Sequence, residues 1–232
     1  MITLRKANER GHANRSWLES WHSFSFADYH DPAHMHFGAL RVINEDIVQP
    51  GAGFDTHGHR DMEIVTYILS GRLHHNDSLG NGEDIHAGEI QVMRAGSGVQ
   101  HSEFNPSDSE AVHLLQIWIM PDEQGLAPGY WQKSFPEEAK HGRWCLLVSP
   151  DAADGSLRIH QDARLSAGLL DGAEALDYPI PARHRAYLHV ARGSLQANGH
   201  KLKAGDALMY VDEARVSLAA GRDAEVLLFD LA

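Results

Sequence analysis

Met62-Glu63-Ile64-Val65-Thr66-Tyr67-Ile68-Leu69 runs into Ser70-Gly71 and resumes as Arg72-Leu73. β-Branched and aromatic residues dominate this run and a Ser-Gly pair closes it. It therefore reads as a strand ended by a turn. The pattern returns late in the chain, where Ala186-Tyr187-Leu188-His189-Val190-Ala191-Arg192-Gly193-Ser194-Leu195 repeats the same order of strand, glycine and strand. Ala204-Gly205-Asp206-Ala207-Leu208-Met209 likewise echoes Ala87-Gly88-Glu89-Ile90-Gln91-Val92 at a similar offset. Turn placement is kept while identity is low, the mark of one β-domain occurring twice.

The rest of the chain fits that reading. Leu40-Arg41-Val42-Ile43-Asn44, Glu89-Ile90-Gln91-Val92-Met93 and Val112 to Met120 have strand character, as does Val226 to Leu231 at the end. Trp21-His22-Ser23-Phe24-Ser25-Phe26 alternates in the strand period and reads as extended up to the turn at Asp31-Pro32. Short strands joined by Gly-rich turns, with no alternation of strand and helix, imply an all-β sandwich or barrel. Residues 121–143 hold Pro121, Gly125, Pro128, Gly129, Pro136 and Gly142 and read as a linker. We place one domain at 1–130 and a second at 131–232.

Composition narrows the function classes. The chain has 232 residues, 43% hydrophobic and 22% charged, as a soluble globular protein does. A net charge of −12, with no Lys/Arg run, argues against a nucleic-acid backbone as direct ligand. No apolar run is long enough to span a membrane, and the N-terminus has no secretory h-region. Cys145 has no partner for an internal disulfide and sits in the apolar run Trp144 to Val148, where a buried thiol is expected. A cytoplasmic setting is the default reading, with a monomer as the default state.

Histidine is the outlier at 17 residues. His57-Gly58-His59 and His101-Ser102-Glu103 each place two metal-competent side chains at i and i+2. Alternate residues of a strand share a face, so each pair can converge on one point. Imidazoles with a carboxylate suit iron, manganese, cobalt, nickel, copper or zinc better than magnesium or calcium. His34-Met35-His36 has the same spacing, but its flank Asp31-Pro32-Ala33 reads as a surface loop. Core packing is the preferred reading for Trp21, His22, Phe24 and Phe26, and also for Gln116 and Trp118. Glu63 stands four residues beyond His59 and would face inward on a straight strand, so the residues alone leave it open as a ligand.

Gly51, His57, His59, Glu63 and Gly71 resemble the first motif of the cupins, and Gly88, Gly96, His101 and Asn105 resemble the second. The spacing departs from the usual cupin pattern in two places. Glu63 and Gly71 stand one residue further apart, and Arg94 occupies the usual proline position of the second motif. Those departures resemble the pirin branch, as do Trp21 to Phe26, Gly96 to Glu103 and Gln116 to Pro121. The match is nearest to the bacterial pirin-like quercetin 2,3-dioxygenases. It implies a bicupin, two antiparallel β-barrel or jelly-roll domains in tandem. It also implies His57, His59, His101 and Glu103 as ligands of an iron(II) ion, with Glu63 outside the set and the C-terminal barrel metal-free.

The resemblance further implies a dioxygenase that opens the ring of quercetin or a related phenolic substrate with O2 and releases carbon monoxide. Glu103 would then accept the proton of the flavonol 3-hydroxyl on loosening from the metal. The competing expectation is an iron-binding, redox-sensing regulator that acts through protein partners without turnover. A bound cation raises the acidity of a hydroxyl that coordinates to it, so the first reading has a chemical basis in the donor set itself.

Overall fold

The computed structural model describes all of residues 1–232. The chain is built almost wholly of strands, interrupted only by three short 3-10 turns, and divides into two compact units. One comprises Gly11–Ser134 with Ile159–Gln161, and the other Met1–Arg10, Phe135–Arg158 and Asp162–Ala232. No helix is long and apolar enough to cross a membrane.

The first unit contains two antiparallel sheets. The larger has seven strands in the order Gly129–Ser134, Glu89–Arg94, Glu63–Ser70, Val112–Ile119, Leu40–Val48, Leu18–His22 and Gly11–Asn14. The smaller has four, in the order Gly53–His59, Val99–Phe104, Arg72–Asp77 and Gly82–His86. Val48, Ile68, Val112 and Leu114 of the larger sheet pack on Leu73 and Ile85 of the smaller, all of them at most 1% exposed. Each such side chain contributes about 1.5–3 kcal/mol by leaving water. The repeated run opening at Glu63 is buried along its length until Ser70, because neighbouring strands flank it and both of its faces are covered.

The second unit is one large sheet of nine strands around the long strands Arg185–Ala197 and Arg215–Leu231. Leu188, Val190, Leu208, Tyr210, Val226 and Leu228 lie in its core. The two echoing stretches of sequence are thus central strands of two separate all-β units.

Three expectations change. Residues 1–10 group with the C-terminal unit rather than with residues 11–130, because Ile2–Arg5 pairs antiparallel with Ala207–Tyr210. The segment read as a linker holds the strand Gly129–Ser134, which completes the larger sheet beside Glu89–Arg94. Pairing across the chain decided both cases, and local composition does not carry that information. Cys145 is half-buried rather than buried.

Candidate metal centre

The smaller sheet sets the centre by register. His57 lies directly opposite His101, so both point to one face, and His59 and Glu103 join that face as their i+2 neighbours. A bulge on the Gly53–His59 strand puts Glu103 opposite Phe54. Such bulges re-aim side chains at sites of this kind. The His57, His59 and His101 ring centroids are 4.4–4.8 Å apart.

Hydrogen bonds fix what the ring nitrogens offer. His57 Nδ1 lies 2.7 Å from the carbonyl oxygen of Asp55. A carbonyl only accepts, so Nδ1 donates and Nε2 is left as a bare lone pair. That lone pair faces His101 Nε2 at 3.0 Å. Two nitrogen ligands at about 2.1 Å, near right angles around one ion, span about 3 Å. The donor atoms of His57, His59 and His101 all lie within 4.8 Å of one another. The residues present therefore fit a divalent transition ion.

Electrostatics favour the same state. Burial, with the neighbouring imidazoles, pushes His59 down to about 4 and His101 down to about 3. Both rings are then neutral near pH 7, as ligation requires. Glu103 is 3% exposed, and burial raises its pKa, opposed by the neighbouring His75 ring, the Gln116 amide and the His57 ring. Gln116 Nε2 reaches over from the larger sheet and donates to both Glu103 oxygens, at 3.2 and 2.9 Å. The Thr66 hydroxyl donates to Gln116 Oε1 at 3.0 Å and so sets which way that amide points.

A cavity of about 390 Å³ opens against His57, His59 and Glu103. Phe26, Phe54 and Trp118 give it apolar walls, while His22, Asn44 and Asp46 give it polar ones. Trp118 meets His59 edge-on with 4.9 Å between centroids and Phe26 with 5.4 Å. Core packing, the expectation for His22, Phe26, Gln116 and Trp118, is therefore replaced by a place in the cavity wall, while Phe24 is core at 1% exposure. Glu63 lies elsewhere. Its Oε1 accepts from Arg94 Nε at 3.3 Å and from the backbone N–H of His160 at 3.0 Å. It belongs to neither group of clustered donors. In the rival pair, His36 is exposed and bonded to the Gly38 carbonyl, and His34 is half-buried beside Asp31.

Asp46 was not visible in the sequence as a site residue. Burial pushes it up to about 7, against the opposing bond from the Ser20 hydroxyl, with Glu103 and Glu45 adding to the rise. The folded state thus holds a proton that the unfolded chain releases above pH 3.8. Stability of the metal-free protein should fall as pH climbs from about 4 to about 7 on this account, by up to about 4 kcal/mol. Asp46→Asn keeps an acceptor for Ser20 and carries no charge. We expect it to raise the melting temperature of the metal-free protein at pH 8 and to leave it unchanged at pH 4. An equal effect at both values would assign the gain to packing instead.

His75 and Asp77 were also missed. They lie on Arg72–Asp77 opposite Glu103 and His101 respectively, so a third i,i+2 pair shares the face. His75, His101 and Glu103 form a second cluster of donors within 4.8 Å, all three buried. The signal was present in the sequence, since His75-Asn76-Asp77 has the same spacing as the two recognised pairs.

Known proteins share this architecture. The family model described as Pirin matches residues 3–119, and the quercetinase C-terminal cupin domain matches residues 146–231. A protein of Escherichia coli K12 named quercetin 2,3-dioxygenase is 53% identical over 231 residues, covering 100% of this chain and 99% of the relative. A putative quercetin 2,3-dioxygenase of Pseudomonas aeruginosa is 43% identical over all of both chains. The crystal structure of the bacterial pirin YhhW from E. coli in complex with nickel(II) has a TM-score of 0.95 at 52% identity, covering 100% of this chain and 99% of that one. Two cupin units in tandem, and identity above one half along the full length, leave one assignment: the chain belongs to the pirin family.

Proposed function

We propose that the chain is a metal-dependent dioxygenase that opens the ring of quercetin or a related flavonol with O2 and releases carbon monoxide. The observation that carries this is the set of converging donors at the cavity, where His57 Nε2 meets His101 Nε2 at 3.0 Å beside His59 and the buried Glu103. The proposed ligands are His57, His59, His101 and Glu103, and the proposed ion is iron(II). The mixed nitrogen and oxygen set leaves coordination positions open for substrate. When bound, the ion supplies Lewis acidity toward a phenolic oxygen and the one-electron chemistry that O2 requires.

The chain's own residues do the rest. Phe26, Phe54 and Trp118 offer apolar surface to a flat aromatic ring system, and a cavity of about 390 Å³ is within the range of small-molecule sites. His22 and Asn44, bonded to each other at 2.8 Å, present polar edges where flavonol hydroxyls would lie. Glu103 is the proposed proton acceptor for the 3-hydroxyl. Gln116 holds the carboxylate in place by donating to both of its oxygens. The relative names and the match to both cupin units support this substrate class.

The test is O2 uptake by anaerobically iron-loaded protein with quercetin, with carbon monoxide trapped from the headspace. Uptake that needs iron and yields about one carbon monoxide per O2 is expected. Bound iron with no uptake on quercetin would overturn the flavonol assignment and favour the redox-sensing alternative.

A further inference from the structure

We propose that Asp77 and His75 form a positioning relay that fixes the tautomer of His101 and keeps its Nε2 lone pair turned toward the metal centre. The inference rests on the metal-site reading above for its purpose, though not for its geometry. It begins at a carboxylate whose partners are all donors. Asp77 Oδ1 accepts from the backbone N–H groups of Leu79 at 2.8 Å and Asn81 at 3.1 Å. Its Oδ2 accepts from Asn81 Nδ2 at 2.8 Å and faces His75 Nε2 at 3.1 Å. A carboxylate so surrounded has no hydrogen to give, so His75 Nε2 must donate.

That leaves His75 Nδ1 as an acceptor. The His75 ring is wholly buried and stacked on Tyr130, with centroids 4.9 Å apart and planes 29° apart, and turning it over would put a ring carbon against Asp77 in place of Nε2. Its Nδ1 lies 3.5 Å from His101 Nδ1. Only one hydrogen fits between the two nitrogens, and His75 does not carry it there. His101 Nδ1 therefore donates, and the neutral ring keeps its Nε2 bare, 3.0 Å from the bare Nε2 of His57. The opposite tautomer would aim an N–H into the centre and block ligation. Strand register delivers the relay, because Asp77 is the cross-strand partner of His101 and His75 that of Glu103. Outer partners of this kind orient ligating imidazoles and raise their basicity.

Asp77→Asn tests the polarity with almost no change of shape. Its Oδ1 can keep the two backbone donors, which places Nδ2 against both His75 and Asn81; the Asn81 amide turns to present its oxygen, and the direction of donation through both rings reverses. The experiment titrates metal-stripped, full-length protein with nickel(II). It also reads the histidine ring nitrogens of the metal-free protein by long-range proton–nitrogen NMR. The parent should show His101 protonated at Nδ1. Asp77→Asn should move that proton to Nε2 and weaken nickel binding by about 10–100-fold. His75→Phe keeps the stack on Tyr130 but offers no acceptor. It should weaken binding to a similar degree, and Asp77→Asn added to it should cost nothing more. A parent with His101 protonated at Nε2, or an Asp77→Asn variant that binds within twofold and keeps the Nδ1 proton, would overturn the relay. So would a His75→Phe variant that loses as much affinity as His101→Ala while Asp77→Asn is unaffected, since His75 would then be a ligand. A parent that binds no nickel would sink the metal-site reading, and the NMR arm would still decide the relay.

Discussion

His101→Ala is expected to strip the protein of bound metal and to abolish flavonol-dependent O2 uptake with it. His101 is the hub of the centre. It stands opposite His57 in register, within 4.8 Å of His59 by ring centroid, and two residues from Glu103 on one strand face. A structural zinc site of four ligands binds with about 10–16 kcal/mol, so one ligand carries about 3 kcal/mol, or about two orders of magnitude in affinity. A catalytic site with open positions begins from weaker binding, and a loss of that size takes it below the concentrations at which the protein stays loaded during purification. Metal content measured after anaerobic reconstitution and desalting should fall below one tenth of the parent's. O2 uptake should fall with it in proportion. His36→Ala supplies the comparison, because His36 belongs to the other His-x-His pair but is exposed and bonded only to the Gly38 carbonyl. It should change neither quantity. Equal metal content in His101→Ala and the parent would remove His101 from the ligand set.

The contrast between those two pairs shows what could be read from the chain. The i,i+2 spacing of His57 with His59 and of His101 with Glu103 is a local property of a strand, and the sequence displays it without ambiguity. The turn glycines and the repeated run around Val65 and Tyr187 are local too, which is why two all-β units could be read. What escaped depended on pairing between distant strands. Ile2–Arg5 is indistinguishable from an N-terminal strand of the first unit until it is seen beside Ala207–Tyr210. Gln116 and Trp118 look like core because alternation along Val112–Ile119 shows only that they share a face. The cavity on that face exists because Phe54, His57, His59 and Glu103 of the smaller sheet stand across from it. Asp46 sits in an apolar strand whose polar members gain meaning only beside Ser20 and Glu103. His75-Asn76-Asp77 carried the right spacing but stood next to His74 and a turn, without the Gly51 and Gly71 frame that singled out His57 and His59.

The bulge that sets Glu103 opposite Phe54, which no spacing rule foretold, makes Gly53 a sensitive position. Gly53 pairs with Phe104 at the foot of the Gly53–His59 strand. A Cβ there would stand 2.2 Å from the carbonyl oxygen of Glu103 and 2.6 Å from Phe104 Cα. Both neighbours are backbone, so no rotamer change relieves the clash, and the strand bearing Glu103 must move. Gly53→Ala should therefore cost at least about 3 kcal/mol in urea unfolding, the upper end for overpacking, and should weaken metal binding by more than tenfold because the displaced atoms belong to a proposed ligand. Gly58→Ala is the sharper half of the comparison. It lies between His57 and His59, yet a Cβ there would meet nothing nearer than the Val99 carbonyl oxygen at 3.7 Å. That is ordinary contact on extended backbone, and the loss of chain entropy in the unfolded state makes a gain of about 0.4–1 kcal/mol the expected result. The substitution adjacent to two proposed ligands should be harmless, and the one four residues before His57 should be damaging. If Gly58→Ala proved the worse of the two for metal binding, steric access at the His57-x-His59 end of the strand would govern the centre, and the bulge would have no part in placing Glu103.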